Sequence, residues 1–499
     1  MLMFELFIAG VVLEILIVTS WVWSYRFWVL GITETVASVA MGLLIGNTFN
    51  VATILILVVG AFRIINLLRI AQQRMNEHYL RRVVLRTSIF LILCQLLVFI
   101  LWKITALLVG GPVPTKVILL VISLLQSTVC VSLVFITSRS LKKTKFTPIP
   151  RHLTDHELPT VTVAIPARNE SAELAACLDA VIASDYPKLE ILVLDDSSQD
   201  KTPDVVKSFA RSGVRFIHGE APKTNWLAKN QAYRMLSEAA TGEYILFLSV
   251  DTLVSPTTIR ALITSSLDKN KSMVCVMAIQ KVLDQKNVII QPMRYWWELA
   301  MPRRLLNRPA VTSSFWVIKR SVLTKLGGFN AVSRAVIPEA YFARKLVLSD
   351  EYAFVRSNGS VELQSAKNQD DQFSRAIRIR YPEIHRRPEL AMLVALSEFL
   401  LFILPIFLFI YSVFLNDLVT LIISLISILS LLFVQYKISR ASVGGYKVWQ
   451  VIKLPIMAFT EICLGLYSMY CYEFSTVEWK GRNISQPVMH VVPSETAQK

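Results

Sequence analysis

The stretch TVTVAIPARNE (160–170) joins a β-branched apolar run to a polar cluster through Pro166. A short apolar run bounded by turn residues reads as a buried strand. The same pattern recurs in LEILVLDDSS (189–198) and YILFLSVDT (244–252), and helical patterns at 171–184, 202–212 and 226–240 separate the three runs. Strands alternating with helices predict βαβ units and a mostly parallel sheet. In such sheets ligands sit beyond the carboxyl ends of the strands. The polar clusters Pro166–Glu170, Asp195–Ser198 and Ser249–Thr252 follow the three strands directly and are expected to converge on one rim. No glycine fingerprint for a dinucleotide and no Walker loop occurs, so acidic and polar groups are expected to hold the ligand.

The flanks are of a different kind. Of 499 residues 54% are hydrophobic and only 18% charged, against about 25% charged in soluble domains. A membrane span needs roughly 20 apolar residues. Such runs occur at 5–24, 28–47, 50–69, 88–109 and 116–138, and again at 391–414, 417–435 and 451–472. The expected organisation is an N-terminal transmembrane block at 1–138, a basic linker at 139–158, an α/β domain at 159–390, a C-terminal transmembrane block at 391–475 and a tail at 476–499. The first run starts at Met1 without a basic segment or a small-residue cleavage site, and reads as a retained span. Glu14, Glu34 and Lys103 fall inside these runs.

The net charge of +16 is carried in short Lys/Arg segments at 69–87, 139–151 and 437–447, while the loops at 47–50, 110–114 and 416–417 carry almost none. By the positive-inside rule this places 139–390 in the cytosol. With three later spans the tail falls outside, unless the segment near Pro455 lies in the interface. Neither zinc-ligand spacing nor a basic region with heptads is present, so nucleic acid is not an expected partner. The six cysteines form no CxxC pair, and four of them (Cys94, Cys130, Cys463, Cys471) lie in the apolar stretches. They read as small apolar filler.

Acidic clusters at strand ends suit a nucleoside diphosphate bound through a divalent cation, because hard cations take carboxylate and phosphate oxygens. Here the chain resembles the membrane-bound family 2 glycosyltransferases of GT-A fold. The resemblance rests on VAIPARNE (163–170), VLDDSSQDKT (193–202), TNWLAKNQA (224–232), YILFLSVDT (244–252), SSFWVIKRSVLTKLGGF (313–329) and VEWKGR (477–482), in that order. It implies a nucleotide-sugar donor, most simply UDP-linked, and a lipid or glycan acceptor at the bilayer. It implies Mn²⁺ or Mg²⁺ as cofactor, with Asp251 as metal ligand. Pro166, Arg168, Glu170, Asp195, Asp196, Lys229, Ser249, Asp251, Gln372 and Arg375 are the implied donor-binding residues, with Asp196 toward the base.

Three departures stand out. The usual Asp-x-Asp is Ser249-Val-Asp251, and the QxxRW motif survives only as Gln372-Phe-Ser-Arg375-Ala376. The usual Glu-Asp base motif is Pro338-Glu339, which makes Glu339 the implied catalytic base with one extra methylene. The alternatives are a catalytically degenerate scaffold of this fold and a processive polysaccharide synthase. Asp195 also reads as a turn cap and Asp200 as a helix cap. RYWWELAMPRR (294–304) reads as an interfacial element near an acceptor headgroup, with a core role for Trp296 and Trp297 as the alternative.

Overall fold

The computed structural model describes residues 56, 59–60, 63, 89–100, 115–147, 153–223, 226–281, 293, 295–300, 309–358, 361–366, 369–473, 477–480 and 482–484. The first two expected spans, most of the third, the basic loop at 69–87 and the charges Glu14, Glu34 and Lys103 lie outside the described residues.

The domain is built on strands β1 (Val161–Ala167), β2 (Leu189–Asp195), β3 (Val214–His218), β4 (Tyr244–Leu248), β6 (Met273–Met277), β8 (Phe315–Lys319) and β9 (Tyr352–Arg356). They form one sheet in the order β3-β2-β1-β4-β8-β6-β9, in which β8 alone runs antiparallel to its two neighbours. The short strands β5 (Thr252–Val254), β7 (Ile279–Lys281) and β10 (Leu363–Ala366) make a second sheet. This is the α/β GT-A arrangement that the resemblance implies.

Alternation along each strand divides the core. Val161, Val163 and Ile165 pack with Leu174, Cys177 and Leu178 on one face. Ala164, Leu192, Phe247 and Trp316 pack with Tyr233, Leu236, Phe329 and Phe342 on the other. Phe247 and Trp316 stack with their ring centres 4.3 Å apart. Both faces are covered, so the strands are apolar almost throughout instead of alternating with polar residues.

The sequence expects the first strand to stop at Pro166, but β1 continues through it to Ala167, and Pro166 pairs in register with Leu194. A proline lacks the ladder N–H and is tolerated where one side is open. β4 pairs β1 only over Val161–Ala164, so Pro166 lies past the end of that ladder. The sheet therefore opens between the carboxyl ends of β1 and β4. Strand order also reverses there, as it does at a ligand-binding switch point.

Four described helices are long and apolar enough to cross a membrane: Lys116–Lys143, Leu390–Phe414, Leu418–Ser442 and Val448–Glu473. In the second, Pro405 has no N–H to offer the Leu401 carbonyl, and the turn Phe399–Ile403 widens into a π-helix. Gln126 Nε2 from the first helix donates to that carbonyl at 3.0 Å. Leu418–Ser442 starts at the Asp417 cap, whose carboxylate accepts from the Thr420 N–H and hydroxyl. It ends beside the domain, where Gly444 donates to the Gln280 carbonyl at 2.9 Å. The second and third helices thus form a hairpin with both ends at the domain.

The fourth helix runs along the Gln369–Glu383 helix of the domain. Glu461 pairs with the buried Arg380, Tyr381 donates its backbone N–H to Ser468 at 3.1 Å, and the Tyr472 hydroxyl donates to the Arg378 carbonyl at 2.7 Å. The tail beyond it bonds to the loops after β1 and β2. Val448–Glu473 therefore packs lengthwise on the Gln369–Glu383 helix. Its opposite face is apolar and exposed at Val448, Trp449, Ile452, Ile456 and Phe459.

Candidate active site

A cleft of about 460 Å³ lies at the sheet opening. The end of β1 contributes Pro166 and Glu170, the end of β4 contributes Ser249 and Asp251, and the start of the Ala228–Ala239 helix contributes Lys229. The opposite wall is one face of the Gln369–Glu383 helix, where Asp371, Ser374, Arg375, Arg378 and Ile379 recur at helical spacing. The Ser249 N–H donates to the Ser314 carbonyl and its carbonyl accepts from Thr252 at 3.0 Å, forming a tight turn that fixes Asp251 beside β1. Lys229 lies with its ammonium 5.1 Å from the Tyr233 ring centre.

Six of the sequence-derived residues therefore share this cleft: Pro166, Glu170, Lys229, Ser249, Asp251 and Arg375. The other five do not line it. Arg168 is buried and donates to the carbonyls of Asp196 (2.5 Å), Ser197 (3.1 Å) and Lys480 (3.3 Å). Asp195 is buried under the turn and accepts from the Ser198 N–H at 3.3 Å, the capping role read as its alternative. Asp200, outside these five, accepts from the Thr202 N–H and hydroxyl at the start of the Thr202–Ser208 helix, although the cap position itself is Lys201. Gln372 is on the lining helix but not among the lining residues. Asp196 is covered by Arg482, whose guanidinium lies 2.6 Å from its carboxylate.

Glu339 sits one layer behind the cleft. It is fully buried in the first turn of the Pro338–Leu346 helix, and one of its oxygens accepts from the Ser313 hydroxyl, which does line the cleft. Its other oxygen has no hydrogen-bond partner among the described residues. Burial, reinforced by the Glu339 charge, holds the Tyr233 phenol well above the usual tyrosine range.

Three groups at the site escaped the sequence reading. Lys480 pairs with Glu170 at 2.7 Å and donates to the Asn169 carbonyl at 3.0 Å. Arg482 covers Asp196. Arg378 joins Arg375 on the cleft wall, and its place one turn along the same helix was the available signal. Burial, then the neighbouring Arg375 charge, pulls the Arg378 guanidinium down to about 10. Burial raises the Glu170 carboxyl, and Asp251 adds to this, against the opposing pull of Lys480. The element at Trp296 belongs to the core: Trp296 is buried, lies edge-on to Phe402 at 4.8 Å, and its neighbour Trp297 donates to Glu398 at 3.0 Å. Packing against the apolar helices excludes the headgroup-contact role at Trp296.

Residues 162–327 match the family model described as Glycosyl transferase family 2. A probable glycosyltransferase of Bacillus subtilis, YdaM, is 25% identical over 184 residues, which cover 35% of this chain and 44% of that protein. The glycosyltransferase GlyG of Streptococcus pneumoniae serotype 4 is 28% identical over 210 residues, 40% of this chain and 68% of GlyG. Among solved structures, the mannosyltransferase PcManGT of Pyrobaculum calidifontis, in complex with GDP-Man and Mn²⁺, overlays 72% of this chain and 100% of its own at 16% identity and a TM-score of 0.43. The domain that forms this cleft, matched over residues 162–327, is a family 2 glycosyltransferase domain.

Proposed function

We propose that the chain is an integral-membrane glycosyltransferase that moves a sugar from a nucleoside diphosphate, UDP in the simplest case, to a lipid or membrane-associated acceptor at the cytosolic face. One observation carries this reading: Asp251 on one wall of the switch-point cleft faces Arg375 and Arg378 on the other. A carboxylate suits a diphosphate-bound cation, and paired guanidiniums suit the diphosphate oxygens. Among the described residues no three His, Cys, Asp or Glu side chains could enclose an ion by themselves, so Asp251 would share it with the donor. A bound Mn²⁺ or Mg²⁺ would neutralise charge on the departing diphosphate. The acceptor hydroxyl attacks the anomeric carbon in line. Its oxygen–carbon bond forms as the carbon–diphosphate bond breaks, the diphosphate leaves with the electron pair, and the proton passes toward Glu339. In-line displacement inverts the anomeric centre. Purified chain assayed against a panel of nucleotide sugars tests the reading, and the absence of both donor hydrolysis and transfer with every donor would sink it.

A scaffold without catalysis draws support from the Arg482–Asp196 ion pair, which occupies the carboxylate implied to meet the base. The two readings part on one variant. If Asp196 serves a nucleotide, Arg482→Ala frees it, and UDP affinity measured by calorimetry should rise about three- to tenfold. That range lies within what one charged hydrogen bond contributes, reduced by partial exposure. Unchanged or weaker affinity would remove Asp196 from the donor site.

The cytosolic placement has its own test. Gln199 is exposed in the loop after β2, and Cys463 is exposed at the outset. A Gln199→Cys chain in a Cys463→Ser background should resist an impermeant maleimide in intact cells and react after permeabilisation. Labelling in intact cells would reverse the orientation.

A further inference from the structure

A second cavity, of about 610 Å³, lies behind the donor cleft and shares Ala335 and Val336 with it. Its floor is the face of the Pro338–Leu346 helix that carries Ala340, Tyr341 and Arg344, one position round from Glu339. Arg334, Arg344 and Arg386 all line it, together with His385. Two carboxylates, Glu298 and Glu383, also line it. Both act on the buried Arg380, and Glu383 lies 3.6 Å from that guanidinium.

The cationic side is constructed, in two respects. His385 and Arg386 hold left-handed backbone at φ 59° and 53°, uncommon for residues with a Cβ and found consecutively here. The bond from the Arg386 N–H to the Tyr381 carbonyl (3.0 Å) and the seat of its guanidinium 4.5 Å over the Tyr472 ring maintain that turn. The Arg344 Nε is buried without a hydrogen-bond partner among the described residues. A buried guanidinium nitrogen left open beside two further arginines matches a tetrahedral oxyanion, which accepts from several N–H groups at once. The cavity wall at Pro382–Arg386 immediately precedes Leu390–Phe414, a helix long and apolar enough to cross a membrane.

We infer that this cavity seats the phosphate of a phosphate-headed lipid, which is the acceptor or carries it. The inference rests on the transferase reading for its role and on the cavity alone for its ligand. The test uses the full chain in micelles of a phosphate-free detergent, dodecyl maltoside, and calorimetric titration. Its probes are short-chain phosphatidic acid, diacylglycerol with the same chains, inorganic phosphate and, separately, UDP and GDP. Phosphatidic acid should bind at least about tenfold more tightly than diacylglycerol or inorganic phosphate, the scale of one charge-assisted contact. Arg344→Gln and Arg386→Gln should each weaken it by about that factor and leave nucleotide affinity unchanged, with partial recovery in Arg344→Lys. Equal binding of phosphatidic acid and diacylglycerol, or full binding by both glutamine variants, would overturn the site. Inorganic phosphate binding as tightly as the lipid would overturn the lipid assignment. Arginine-dependent lipid binding without any nucleotide binding would retain this cavity and discard the transferase reading. Nucleotide binding without lipid binding would do the reverse.

Discussion

Replacing Asp251 by asparagine is expected to abolish metal-dependent turnover, with a fall of at least about 10²–10³ in rate, the scale of removing one preorganised electrostatic contact from a developing charge. The substitution keeps size and most hydrogen bonding but removes the charge that a hard cation requires. Asp251 is fixed by the Ser249–Thr252 turn at the carboxyl end of β4, so its oxygens are presented without a search. Glu170, the next carboxylate in the cleft, is paired with Lys480 at 2.7 Å and is a poor substitute. Donor binding should become insensitive to Mn²⁺ or Mg²⁺ in the variant, and chelator treatment of the wild type should reproduce the loss. A variant that keeps full metal-dependent donor affinity would move the ion to another residue.

The sequence reads well where physics is local. β1, β2 and β4 announce themselves as short apolar runs bounded by turn residues, and the polar clusters behind Pro166 and Leu248 reach the cleft because strand ends in a parallel sheet converge. It reads poorly where the decisive contact is distant. Arg482 and Asp196 are 286 residues apart, and nothing in VEWKGR specifies which surface it will meet. Hydropathy alone marks Val448–Glu473 as apolar enough to cross a membrane and says nothing of its partner in the domain. That partner is set by Glu461, because a buried carboxylate needs the buried Arg380 on the neighbouring helix. Likewise, aromatic residues interleaved with arginines have the composition of a membrane interface. Trp296 becomes core only because Phe402 and the apolar helices close over it.

The depth of Glu339 was equally invisible from sequence, and it shapes the second large effect. Deprotonating the acceptor in the transition state is worth about 10²–10⁴-fold, and Glu339→Gln is expected to lose that much transfer. A fully buried carboxylate is costly unless something uses or compensates it. Here the first turn of a helix and the Ser313 hydroxyl compensate one oxygen, while the other is unpartnered among the described residues. Because Ser313 lies between Glu339 and the cleft, the proton would travel from the acceptor to the Ser313 oxygen as the Ser313 proton moves to Glu339. This relay sets the side-chain length. Sequence alone suggests that Glu339→Asp, which restores the usual residue of the family, keeps activity. With Ser313 as intermediary, the aspartate falls short by about 1.5 Å, one carbon–carbon bond, and is expected to lose activity. Ser313→Ala should lose transfer as well, unless a water takes the place of the hydroxyl. Nucleotide affinity should stay near wild type in both Glu339 variants, because Glu339 lies one layer behind the cleft. Glutamine at 339 with undiminished transfer would place the base elsewhere, whereas a large loss in Glu339→Gln with none in Ser313→Ala would keep Glu339 as base and remove the relay.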